Sequence, residues 1–88
     1  MATITVSEEG GGRIEVLVEE AGSASQHSVE VDEDYYQELT GGQISKKELV
    51  RRSFEFLLQR EPKESILSRF DLKQISNYFP SYEGDISL

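Results

Sequence analysis

The segment "SKKELVRRSFEFLLQREP", residues 45–62, decides the fold because it carries the longest helical signal in the chain. Ser45 stands where an N-cap belongs, and Glu48 follows at the third helical position, which is the spacing of a capping box. Pro62 cannot continue a helix because it lacks the backbone N–H and clashes with the preceding turn. The sequence therefore predicts a helix over about residues 46–60.

Apolar side chains cover a wide part of this predicted helix. At about 100° per residue they span an arc of about 200°, whereas a surface helix typically shows an apolar stripe of ~100° or somewhat more. The arc contains, in order, Phe56, Leu49, Ser53, Leu57, Val50, Phe54 and Leu58. This width indicates packing on two sides, against a sheet on one and against the C-terminal helices or a second subunit on the other. We therefore expect a homodimer in which Phe54 or Leu58 contacts the second copy.

The chain before this helix predicts three strands. Ile14, Val16 and Val18 alternate with polar residues, as in a strand that buries one face. Shorter alternations occur in "TITV" and "HSVEV", and the separators "EEGGG" and "AGSASQ" are rich in turn-forming residues. Consecutive short strands joined in this way predict an antiparallel meander with one apolar and one acidic face.

Three shorter helices are predicted around the long one. Asp32 and Asp71 stand at N-cap positions, and Pro62 suits the first turn of a short helix that ends near Arg69. The predicted segments are strands over 1–31, helices over 32–80 and a loose tail over 81–88. The 88 residues thus predict a single α+β domain, with a three-stranded antiparallel meander followed by three to four helices.

The charge of −8 is unevenly distributed along the chain. Residues 1–43 carry one basic side chain against ten carboxylates, whereas residues 44–73 carry eight basic side chains against five. Non-specific binding to nucleic acid relies on Lys and Arg that neutralise phosphates, so the acidic half argues against a nucleic-acid partner. The chain has no Cys and no apolar run of the ~20 residues that cross a bilayer, which indicates a cytoplasmic protein without membrane contact.

Two arginines suggest an interaction site. Arg51 and Arg52 fall on the strip of the long helix that the apolar arc leaves free, where they are either solvated or bound to a carboxylate-bearing partner. Our interaction hypothesis assigns Arg51, Arg52, Phe54 and Leu58 to this site. The second copy or another acidic protein is the expected partner.

No residue pattern predicts catalysis, and we expect no enzyme. The single histidine, His27, has Ser25 and Ser28 nearby, but catalytic partners are positioned by the fold and need an orienting acid and an oxyanion site. We therefore expect His27 to be an exposed residue at a strand edge. One His and no Cys exclude the usual zinc ligand sets, so no metal, cofactor or catalytic residue is predicted. A non-catalytic interaction or regulatory module is the function that remains.

The C-terminal half resembles a family of small bacterial proteins of unknown function. The resemblance rests on "REPKESIL" at residues 60–67, followed by "FDL" and "YFP", within residues 44–82. It implies bacterial origin and a cytoplasmic location, and it brings no activity.

A second stretch resembles the ribbon-helix-helix DNA-binding proteins, which include many antitoxins. "HSVEVDEDYYQEL" followed by "ISKKELVRRSFEFLL" is similar to their strand, helix, turn and second helix. The resemblance implies a strand that enters the major groove. That strand would present Ser28 and Glu30, or Val29 and Val31, instead of the Arg, Lys, Asn or Gln that read base edges. A DNA-binding regulator of this kind is therefore our alternative hypothesis.

Overall fold

The computed structural model describes residues 2–87, and within them the chain has an α+β fold. The strands are β1 (Thr3–Gly10), β2 (Arg13–Glu20), β3 (Ser23–Glu30) and β4 (Arg69–Asp71). The α-helices are α1 (Glu33–Thr40), α2 (Lys46–Leu58), α3 (Ile75–Tyr78) and α4 (Tyr82–Ile86). Two 3-10 turns, Lys63–Ser65 and Leu72–Gln74, lie between α2 and α3.

The predicted antiparallel meander is confirmed. β1 pairs with β2 and β2 pairs with β3, both antiparallel. Ile14, Val16 and Val18 of β2 all point to the buried face, as their alternation predicts. The turn between β1 and β2 requires Gly12, whose φ of +76° is left-handed and whose added Cβ would lie 3.3 Å from the carbonyl oxygen of Val31.

The predicted N-caps are also confirmed. The Asp32 carboxylate accepts a hydrogen bond from the backbone N–H of Tyr35 at 3.1 Å, and the Ser45 hydroxyl accepts one from Glu48 at 3.0 Å. Asp71 forms a complete capping box with Gln74. α2 ends at Leu58, two residues before the predicted end, and its start agrees with the prediction.

The wide apolar arc of α2 is covered within a single chain except at Leu58, which is only partly buried. On one side Phe54 packs against His27 and Phe70, with ring centroids 5.2 and 6.1 Å apart. On the other side Phe56 packs edge-on against Phe79 and Tyr82, at 6.0 and 5.3 Å. The sheet and the C-terminal helices therefore supply both packing partners that the arc requires.

The prediction of a short helix after Pro62 is wrong. The chain makes only the 3-10 turn Lys63–Ser65 and then enters β4, which pairs in parallel with the end of β3. This pairing places Phe70 beside Val29 in the core and makes β3 an inner strand. Three residues are too few to show an alternating pattern, so β4 could not be predicted from its own residues.

The prediction of a loose tail from residue 81 onward is also wrong for the residues that the structure describes. α4 packs against α2 through Tyr82, whose side chain is 0% exposed and whose hydroxyl lies 2.7 Å from the Ser53 hydroxyl. The Tyr35 hydroxyl donates a hydrogen bond to Glu83 at 2.7 Å. Residue 88 lies outside the described residues.

Candidate interaction site

An apolar groove lies between the end of α2, the following loop and α3. Its volume is about 340 Å³. Its lining residues are Leu57, Glu61, Ser65, Ile66, Leu67, Phe70, Gln74, Ile75, Tyr78 and Phe79. Among residues 2–87, the large apolar side chains that are exposed are Leu67 (47%) and Tyr78 (66%), and both line this groove. We call it the C-terminal groove.

Local chain geometry produces this groove. Pro62 stops α2, and its carbonyl accepts the backbone N–H of Ser65 at 2.9 Å to close the 3-10 turn. After the turn the chain is extended, so Ile66 enters the core while Leu67 points outward. Gln74 then fixes the opposite wall by accepting the backbone N–H of Asp71 at 2.8 Å.

His27 anchors the loop that carries Leu67. Its Nδ1 lies 2.8 Å from the Leu67 carbonyl oxygen, and its Nε2 lies 2.8 Å from the Ser25 hydroxyl. Because a carbonyl can only accept, we assign the proton to Nδ1, so Nε2 accepts from Ser25. The ring is 2% exposed, so the expectation of an exposed His27 is wrong. Burial arises because His27 lies on the inner face of β3, opposite Val16, where α2 covers it.

The Ser25–His27 contact is better explained by structure than by catalysis. A nucleophilic serine needs a base oriented by a third group and donors for the developing oxyanion. Here a backbone carbonyl orients the ring, and the ring itself is buried against Phe54. These contacts hold β3 against the loop of the C-terminal groove.

Replacement of His27 by leucine is expected to lower the free energy of unfolding by about 1–3 kcal/mol, because the Leu67 carbonyl loses its donor. Amide hydrogen exchange of residues 65–68 should accelerate with it. Urea unfolding measures the change in the free energy of unfolding. The control is Gln26→Ala at an exposed position, which should change that free energy by no more than about 0.5 kcal/mol. Equal stability of the His27→Leu variant and the wild type would contradict this role.

The two arginines of the interaction hypothesis pair within their own helix. The Arg51 guanidinium contacts the carboxylates of Glu48 and Glu55 at 2.9 and 2.8 Å, and Arg52 contacts Glu48 at 2.8 Å. Two carboxylates therefore compensate two guanidinium groups along this strip. This explains much of why basic residues gather on α2: they offset acidic residues one turn away.

The same pairs hold the pKa of Glu48 at about 2, through hydrogen bonds from Arg51 and Arg52. A carboxyl whose pKa falls on folding stabilises the fold above its ordinary pKa of 4.5, and that contribution is lost as the pH falls towards 2. Glu48→Gln should thus cost on the order of 1 kcal/mol or less at pH 7, since the pairs are partly exposed, and close to nothing at pH 2. Urea unfolding at pH 7, 4 and 2 measures the difference, with exposed Glu19→Gln as the control. A cost that does not depend on pH would contradict the account.

The other two residues of the hypothesis lie elsewhere. Phe54 is 0% exposed in a single copy, so it is not available to a partner, and the expectation that it contacts a second copy loses its basis. Leu58 is partly buried against the core. None of the four residues lines the C-terminal groove. The sequence analysis missed the pair Leu67 and Tyr78, two large apolar residues that lie in the loop before β4 and at the end of the short helix α3.

Metal binding and membrane insertion receive no support from the described part of the chain. Within residues 2–87, His, Asp and Glu side chains form no group of three that could hold a metal ion. No helix in that span has the length and apolar character needed to cross a membrane.

Comparison of the chain with protein-family models, with curated proteins and with solved structures finds no match.

Proposed function

We propose that the protein is a non-catalytic interaction module that binds a segment of another protein in the C-terminal groove. The observation that carries this proposal is the position of Leu67 and Tyr78, which expose apolar surface on the same groove. Clustered apolar exposure, unlike scattered apolar residues, is typical of interaction surfaces. Tyr is also enriched among the residues that contribute most to binding energy.

The groove defines the chemistry of the partner segment. Its volume of about 340 Å³ is at the low end of roughly 300–1,000 Å³ for ligand pockets, which suits one or two apolar side chains. Glu61 lies on its wall, and among residues 2–87 no basic side chain lies within 4 Å of that carboxylate. We therefore expect a segment with a Leu or aromatic anchor next to a Lys or Arg, in keeping with the charge of −8 on the chain.

This proposal replaces the acidic partner inferred for Arg51 and Arg52. Those arginines already have carboxylate partners on α2, so an acidic protein would have to displace Glu48 and Glu55. We still expect a bacterial protein that acts in the cytoplasm. A chain without Cys forms no disulfides, so it needs no oxidising compartment.

The DNA-binding alternative is less well supported than the groove. β3, the strand of the ribbon-helix-helix resemblance, is hydrogen-bonded to β2 on one side and to β4 on the other. It cannot leave the sheet to enter a DNA groove without breaking both pairings. Its exposed face also carries Glu30, which repels phosphates.

Selection from a library of random displayed peptides tests the proposed function. We expect enriched peptides that share an apolar anchor and a neighbouring basic residue, and we expect Glu61→Gln to weaken their binding. A library that yields no enriched pattern, or peptides whose binding needs Arg51 and Arg52, would overturn the proposal.

A further inference from the structure

β1 is an open edge of the sheet. The strand order is β1-β2-β3-β4, so β1 pairs with β2 and has no other strand partner within residues 2–87. β1 is eight residues long, whereas β4 at the opposite edge has three. An open edge presents unpaired backbone N–H and C=O groups that another strand can bind.

Most of this edge lacks the features that normally prevent pairing. Natural edge strands are protected by charged residues, prolines or bulges. Residues 3–7, "TITVS", contain none of these. Protection begins only at Glu8 and Glu9, where the register with β2 also shifts.

Apolar surface beside the edge is only partly covered. Ile4 and Val6 on the inner face of β1, and Leu58 on α2, are partly buried against the core. Lys47, Arg51 and Leu58 fall within an arc of about 40° on α2, and Val6 shares a shallow cleft with Lys47 and Arg51. The helix thus forms one wall beside the open strand.

We propose that β1 pairs antiparallel with β1 of a second copy, so that two sheets join across a twofold axis. Such an interface is self-complementary and closed. Pairing β1 with β4 of another copy would instead chain molecules together, and the three residues of β4 offer little to pair with. An antiparallel arrangement centred on residues 3–7 also places the Glu8–Glu9 pairs of the two copies at opposite ends, whereas a parallel one would set them side by side.

The proposed dimer contact involves different residues from the contact expected from the sequence. The contact is formed by the backbone of β1 with Ile4, Val6 and Leu58 next to it, while Phe54 stays in the core. The cleft at Val6 shares no residue with the C-terminal groove, so the dimer does not depend on the proposed function.

Sedimentation velocity at tens of micromolar tests the dimer. We expect twice the mass of one chain for the wild type and the mass of one chain for the variant Thr5→Lys with Ser7→Lys, which places charges on the exposed face of the edge strand. The control, Ala24→Lys with Gln26→Lys, adds the same charge to exposed positions of β3, which β2 separates from β1, and should remain a dimer.

Hydrogen exchange of the wild type gives a readout that needs no variant. Exchange of the β1 amides that face away from β2 should slow as the protein concentration rises, while the β2 amides stay unchanged. A wild type with the mass of one chain would overturn the proposal. So would a dimer that persists in the Thr5→Lys, Ser7→Lys variant, or β1 exchange that does not respond to concentration.

Discussion

Replacement of Tyr82 by alanine is expected to lower the free energy of unfolding by about 3–5 kcal/mol. Tyr82 is fully buried, and its ring packs edge-on against Phe56 at 5.3 Å. The Ser53 hydroxyl donates to the Leu49 carbonyl at 2.8 Å, so the Tyr82 hydroxyl is the donor in the 2.7 Å contact with Ser53. Burial of the ring also raises the pKa of the Tyr82 phenol. Truncation removes both the ring and this hydrogen bond.

This loss is large because the domain is small. Folded domains have free energies of unfolding of about 5–15 kcal/mol in total, so the Tyr82→Ala variant should be close to unfolded. Urea unfolding followed by circular dichroism measures the change. Tyr82→Phe is the matched control: it keeps the ring and should cost only about 1 kcal/mol for the lost hydrogen bond. A Tyr82→Ala variant as stable as the wild type would mean that α4 does not pack as described.

Loss of Leu67 and Tyr78 together should abolish binding of the peptides selected against the C-terminal groove. Each is an exposed side chain that lines the groove. When such a residue anchors a partner, its truncation lowers the binding free energy by about 2 kcal/mol or more, which weakens the Kd about 30-fold for each residue. Leu67→Ala and Tyr78→Ala should leave the fold intact, because exposed sites typically change stability by within about 0.5 kcal/mol.

Fluorescence anisotropy of a labelled selected peptide measures this effect. The matched control is Arg51→Ala with Arg52→Ala, which removes the site inferred from the sequence and should leave the Kd unchanged. The opposite pattern, with binding lost in the arginine variant and kept in the groove variant, would restore the sequence-based site.

Features set by local sequence were predictable. The start of α2 follows from Ser45, the capping box after β4 follows from Asp71 and Gln74, and the meander follows from alternation along β2. These depend on residues within a few positions of one another. The pairing of Arg52 with Glu48 was not predicted, although the two stand four residues apart on a helix.

Features set by distant contacts were not predictable. His27 is separated by 40 residues from Leu67, whose carbonyl it binds, and by 27 from Phe54, on which its ring packs. β4 exists because β3 offers it a free edge, and its three residues carry no pattern of their own. α4 is held by Tyr82, and its burial depends on the wide apolar arc of α2. The C-terminal groove is formed where the end of α2, the following loop and α3 meet, and local sequence patterns do not predict that meeting.

The most direct test of the groove is an NMR titration of the labelled protein with a selected peptide. Binding in the C-terminal groove predicts that the largest chemical-shift changes occur at Leu67, Ile75 and Tyr78, with the residues of β1 and the Arg51–Arg52 strip little affected. Changes centred on residues 47–52, with the signals of Leu67 and Tyr78 unmoved, would contradict the account.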